Sequence, residues 1–161
     1  MNEIQIQPAS PKEADIAAQL TFMAYHRYSY DIFGQVGKHA AIDHYKKLWQ
    51  HGDNRFGYRF SYIAKVGNKP VGLMTGYPAP LIKKLVSPTI RQLIRIGKFS
   101  FIRHFITHLT NFYYFASNQE CQKDEFYVAT LSVLPEYRSL GIGAEMLRHA
   151  RKLTREQNLR R

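Results

Sequence analysis

With 161 residues, 45% of them hydrophobic and 22% charged, the chain has the size and balance of a single globular domain with a packed core. Its lone cysteine, Cys121, excludes an internal disulfide framework and paired-cysteine metal spacing, and suits a reducing, cytoplasmic setting. The formal charge of +11 is lopsided: no Asp or Glu stands between Asn54 and Gln119, against ten Lys and Arg. Such a balance attracts an anionic ligand, an acidic membrane surface or nucleic acid, and it also describes a basic solvated surface with no dedicated partner. No apolar run approaches the roughly 18 residues of a membrane span. The opening Met-Asn-Glu-Ile-Gln lacks the basic leader and apolar run of a signal peptide, so none is expected.

Ile4 to Gln7 alternates and predicts a short strand. Ser10-Pro11-Lys12-Glu13 has the form of a helix start, with Ser10 as cap, Pro11 in the first helical position and Glu13 completing a capping box. A helix from about Pro11 to Arg27 is expected, with Ile16, Leu20 and Met23 on one side. The segment Tyr25 to Gly34 is too aromatic for a casual linker, and a second helix is expected over His39 to Trp49. Phe60 to Val66 and Val71 to Tyr77 read as strands joined by the turn signal Gly67-Asn68-Lys69-Pro70, an antiparallel hairpin. Pro78, Pro80 and Pro88 then break regular structure. From Thr89 to Ala116 apolar residues keep a helical period, with Arg91, Arg95, Lys98, Arg103, His104 and His108 opposite. Glu125 to Leu134 is strand-like again, and a last helix runs to about Leu159.

Between those last two elements lies Leu131-Ser-Val-Leu-Pro135-Glu-Tyr-Arg138-Ser-Leu-Gly141-Ile-Gly143-Ala144, a strand entering a proline turn and a glycine loop that opens a helix. Glycines let backbone approach a ligand closely, and the free N–H groups of a first helical turn point at an anion, for which a diphosphate is well suited. A strand-to-helix connection that merely needs glycine is the alternative. The dinucleotide fingerprint fails because Met146 stands where its third glycine belongs. A Walker loop fails for want of Gly-Lys-Ser/Thr.

The segment resembles the acetyl-CoA site of the GNAT (GCN5-related) N-acetyltransferase superfamily, Val-x-Pro-x-x-Arg-x-x-Gly-x-Gly, position by position from Val133 to Gly143. The order of elements is similar to that family's too. The resemblance implies an α/β (α+β) fold with a mixed, mostly antiparallel sheet flanked by helices. In that fold residues 78–123 form a helical insertion before the fourth strand. It implies that Leu131, Ser132 and Val133 line the pantetheine arm, the backbone groups of Leu131 and Val133 pairing with it like an added strand. It implies that Arg138, Ser139, Leu140, Gly141, Ile142, Gly143 and Ala144 hold the pyrophosphate. The family pattern continues past the motif helix with a splayed strand, a helix and a closing hairpin, so the domain is expected to be C-terminally incomplete.

The function so implied is acetyl-CoA-dependent transfer of an acetyl group to a primary amine of a small molecule or peptide. A non-catalytic acyl-CoA-binding or interaction module is the reading from another class. By family analogy the Val133 N–H is the oxyanion donor, and Glu125, thirteen positions before Arg138, is the candidate base, directly or through water. Glu125 is equally readable as a strand-end surface acid. Tyr127 falls on the same strand face and either orients the amine, replaces a missing acid or packs in the core. Tyr28, Tyr30, Asp31 and Phe33 suit a cationic amine, or simply pack a helix junction. No metal is expected, because His104 and His108 have no third ligand nearby in sequence. The basic stretch 89–116 has three readings: packing on the domain or on a second copy in a homodimer, lying on an anionic membrane, or binding nucleic acid. No recognised motif supports the last.

Overall fold

The computed structural model describes residues 3–107 and 121–159. Four antiparallel strands, β1 (Ile4–Pro8), β2 (Ser61–Val66), β3 (Lys69–Pro78) and β4 (Phe126–Val133), form one sheet in the order β1-β2-β3-β4. Helices α1 (Ala14–Tyr25), α2 (Tyr28–Phe33), α3 (Lys38–His51) and α4 (Ala79–Thr107) cover one face, and α5 (Ile142–Glu156) covers the other. Strand alternation divides the core between them. Ile63 and Leu73 turn toward Ala14, Ala17, Leu20 and Trp49, whereas Ala64, Val71 and Met74 turn toward Ile142, Met146 and Ala150.

The capping box forms as read: the Glu13 carboxylate accepts the Ser10 N–H at 2.8 Å and Ser10 Oγ accepts the Lys12 N–H. Pro11–Glu13 is a 3-10 turn, however, and the helix proper stops at Tyr25 rather than Arg27. The buried side of α1 carries Ala14, Ala17, Ala18, Leu20, Thr21 and Phe22, while Ile16 and Met23 are only half-buried. Small alanines let α1 lie close to the sheet and to α3, a packing demand that helical spacing of large residues does not reveal. The aromatic segment after it folds as α2. The hairpin turn is tighter than the sequence signal, with Val66 paired to Lys69 and Gly67 at φ +59 between them. Pro70 already belongs to β3.

Residues 79–88, expected as broken chain, are helical and continuous with the predicted helix. Pro80 falls in the first turn, where its missing N–H is no loss. Pro88 lies inside α4, and there tertiary contacts prevail over its propensity. Ala79, Ile82 and Leu85 repeat every third position against Tyr77, and the buried Thr89 hydroxyl donates to the Leu85 carbonyl at 2.6 Å. Residues 108–116 of the expected helix, with His108, lie outside the described residues.

The short connection after α3 pins three elements together. Asn54 is fully buried. Its amide nitrogen donates to the Leu48 carbonyl and to Gln92 Oε1, both at 2.6 Å, while its side-chain oxygen accepts the Phe56 N–H. The Arg55 N–H reaches Thr89 Oγ1, and Arg55 Nε reaches the Tyr77 hydroxyl at 3.1 Å. At Gly57 any Cβ would collide with the Gly52 carbonyl. Gly57→Ala is therefore expected to destabilise the fold by about 3 kcal/mol or more, since backbone rather than a flexible side chain must move. Urea denaturation measures it.

On the other face, the His149 ring packs at a tilt against Tyr62, ring centroids 4.7 Å apart, and helps hold α5 on β2. Burial, with Lys152 nearby, lowers its pKa below 6.5 against the opposing pull of Glu156. Burial lowers that of His44 in α3 as well. Unfolded histidines titrate near 6.5, so the unfolded chain binds more protons below that pH. Stability should be full above about pH 6.5 and fall as pH drops through the folded pKa values. His149→Phe, which keeps a ring against Tyr62, should flatten part of that slope in pH-dependent thermal unfolding.

Candidate functional site

Among the described residues, the last strand of the sheet is hydrogen-bonded on one side only. The Leu134 N–H donates to the Val71 carbonyl at 2.9 Å, and the pairing continues as Val133 with Gly72, Ser132 with Leu73, Leu131 with Met74 and Thr130 with Thr75. Antiparallel alternation then turns the N–H and C=O groups of Ser132 and Thr130 toward β3 and those of Leu131 and Val133 outward, along the open edge. The outward Val133 carbonyl meets Arg138 Nε at 3.2 Å.

Past Val133 the chain makes a 3-10 turn over Pro135–Tyr137 and enters the loop. Ser139 at φ +64 and Gly141 at φ +78 both take the left-handed region, which Gly141 adopts without strain. Gly141 is the N-cap of α5 and offers no side-chain acceptor, so the N–H groups of Ile142, Gly143 and Ala144 have no intrahelical partner and face the loop. A Cβ placed on Gly141 or on Gly143 would meet nothing within 4 Å, so the backbone there stands against open space. Glu145, in the same turn, is ion-paired with Arg148. Outward strand groups, free helix N–H groups, open glycines and the exposed Arg138 form a cradle for an extended ligand ending in phosphate. The side chains of Ser132 and Ile142 are buried and only their backbone is available, whereas Ser139, Leu140 and Ala144 are exposed.

A bulge interrupts β4 midway. Thr75 pairs with Thr130 but Gly76 with Val128, leaving Ala129 as the extra residue, and the Tyr25 hydroxyl donates to its carbonyl at 3.4 Å. Nothing in the residue type at Ala129 announces this, and the sequence reading missed both the bulge and Tyr25. On the early side of the bulge the open edge borders an apolar groove of about 580 Å³, lined by Phe126 and Val128 against Leu147 and Ala150 and rimmed by Arg151 and Arg155.

The candidate catalytic residues lie at this early end. Glu125 immediately precedes β4, and its carboxylate accepts the Gln122 N–H at 2.8 Å while its carbonyl accepts the Ala79 N–H. Eight residues of strand separate it from Val133, roughly 25 Å at about 3.3 Å each, so the two cannot face one reacting carbon. Tyr127 is half-buried against Tyr77, Ala79, Ile82 and Leu85, with the Tyr77 and Tyr127 rings 6.0 Å apart. In α2, Phe33 is 5% exposed and sits in the core, 4.8 Å from the Tyr45 ring, and Tyr30 packs edge-on to Phe22. Tyr28 is 69% exposed and Asp31 is exposed one turn later, so these two are the exposed members of the four, Tyr30 being half-buried. Through Tyr25 the end of α1 is fixed over the β4 bulge, and α2 follows directly.

Among the described residues no group of three His, Cys, Asp or Glu could hold a metal ion, and no helix is long and apolar enough to cross a membrane.

Comparison with known proteins agrees with this fold. The Acetyltransferase (GNAT) family pattern matches residues 23–161. A solved acetyltransferase superposes with a TM-score of 0.69 at 17% identity, covering 96% of this chain and 76% of its own. An N-acetyltransferase from Staphylococcus aureus Mu50 gives 0.64 at 17% identity, with 90% and 73% covered. An agmatine N-acetyltransferase variant in its apo form gives 0.54 at 12% identity, with 97% and 72% covered. No curated protein matches the chain significantly. At such identities the solved structures speak for the fold, and the family match over most of the sequence carries the assignment: the chain belongs to the Acetyltransferase (GNAT) family and is an N-acetyltransferase by type.

Proposed function

We infer that the protein transfers an acetyl group from acetyl-CoA to a primary amine of a small molecule or peptide, in the cytoplasm. The whole chain would act as one domain in which residues 78–123 are a helical insertion. The observation that carries this reading is the continuity of the open β4 edge with the uncapped, glycine-lined start of α5. An extended arm fits the edge and a diphosphate fits the helix start, in the order in which coenzyme A presents them.

When bound, acetyl-CoA supplies an acetyl thioester open to attack by an amine. The chain's own groups do the rest. The outward N–H and C=O groups of Leu131 and Val133 hold the arm as an added strand, beside Ser132. Arg138 and the backbone of Ser139, Leu140, Gly141, Ile142, Gly143 and Ala144 hold the phosphates. The Val133 N–H serves the arm, and the Leu131 N–H, about 7 Å nearer to Glu125 but still about 20 Å from it along the strand, would donate to a developing oxyanion, so a proton would reach Glu125 only along a chain of waters. Glu125 takes the amine proton at its carboxylate through water, and the Tyr127 hydroxyl orients the amine or returns a proton to the thiolate. Tyr28 and Asp31, the exposed pair on α2, receive the cationic acceptor, with Tyr30 and Phe33 packed as their support.

Gly143→Val tests the cradle. Its Cβ has room in the folded chain, so thermal stability should stay close to wild type, while calorimetric affinity for acetyl-CoA should fall about tenfold or more. Undiminished affinity would remove the loop from the site. Glu125→Gln tests proton transfer. Thiol release across an amine panel should slow, and the acidic limb of its pH–rate profile should vanish; an unchanged profile excludes Glu125 as the base.

A further inference from the structure

Acetyl transfer leaves the outer side of α4 unused. Val86, Ile90, Ile94, Ile102 and Ile106 recur there in steps of four, with a lysine at the missing position 98. Four residues advance a helix by slightly more than one turn, so these side chains form an apolar ridge, broken at position 98, that turns by about 40° at each step. Ile94 is 37% exposed, Ile102 39% and Ile106 66%, a rising series toward the C-terminal end of α4. Beside that ridge runs a second of the same pitch, Lys83, Ser87, Arg91, Arg95 and Arg103, all exposed. The two ridges meet over a hollow of about 440 Å³ lined by Lys83, Val86, Ser87, Ile90, Arg91 and Ile94. No carboxylate anywhere from Asn54 to Gln119 offsets the charge.

We propose that this face of α4 is a docking surface for an anionic phospholipid bilayer, the basic ridge meeting headgroup phosphates while the isoleucines enter the acyl boundary. Charge complementarity selects this occupant. A second copy would bring the same basic ridge against itself on a chain already carrying +11. A nucleic acid would satisfy the arginines and leave exposed isoleucines against phosphate. An anionic bilayer satisfies both at once, because it is charged at its surface and apolar a few ångströms below. The chain would thereby hold its acetyl-transfer site beside the membrane, where amines of membrane-associated molecules are concentrated.

Co-sedimentation of the full chain with phosphatidylserine-containing vesicles tests the proposal. Binding is expected at low salt, weakening as salt rises, and absent with phosphatidylcholine alone. Ile102→Asn with Ile106→Asn, and separately Arg91→Gln with Arg95→Gln, should each reduce partitioning about tenfold. Thermal midpoints should be unchanged, because all four side chains are exposed. No sedimentation at low salt, or equal sedimentation with neutral vesicles, overturns the proposal. So does a loss in the arginine pair with none in the isoleucine pair, the pattern of a purely electrostatic partner such as nucleic acid. A dimer in analytical ultracentrifugation that the isoleucine pair converts to monomer would assign the face to a second copy instead.

Discussion

The candidate site depends on β4 being hydrogen-bonded from one side among the described residues. Unpaired strand groups in a folded protein are costly if buried and sticky if exposed, so a long bare edge needs a use. Here the need is concentrated at Leu131 and Val133, whose N–H and C=O groups point away from β3. Arg138 engages the Val133 carbonyl, and the bulge at Ala129 twists the strand where the Tyr25 hydroxyl meets it. The edge then passes within a few residues into a helix start that likewise has backbone donors without acceptors. Both halves of the cradle are main chain. Side chains contribute mostly by their absence, at Gly141 and Gly143.

The opposite face of the sheet is held by its own set of restraints. The alanines of α1 allow it to lie flat on the sheet, and Tyr25 ties its last turn to the bulge. The segment from Asn54 to Phe56, buried and hydrogen-bonded to α3, α4 and β3, keeps the helices on that face in register with one another. These restraints fix the end of α1 at the bulge, and α2, with Tyr28 and Asp31, follows it in the chain.

What was legible in the sequence follows from which features are local. Pro135 and Gly141 each meet a backbone demand that few other residues meet, so the loop and the start of α5 could be read directly. Ser10 to Glu13 announced its capping box for the same reason. Pro80 and Pro88 misled, because proline reports local preference, whereas the repeat through Ala79, Ile82 and Leu85 is settled by packing against Tyr77. The bulge at Ala129 was illegible, since any small residue can occupy it and its position is set by pairing with β3. Glu125 shows the limit for side-chain roles. Its place in the sequence could be counted from Arg138, but its distance from Val133 along an extended strand decides what it can reach.

The charge distribution separates two problems that a net value merges. A diphosphate cradle built from backbone and Arg138 needs little excess charge, and the motif helix balances some of its own through Glu145 with Arg148 and Glu156 with Lys152. The stretch without acids lies elsewhere, in β2, β3 and α4, and includes no residue of the loop. Cofactor binding therefore does not account for the lopsided charge. Solvation alone would explain isolated lysines on α4, but not a basic ridge set beside exposed isoleucines at the same four-residue pitch, because solvation sets no value on that register. A surface that is anionic outside and apolar within does.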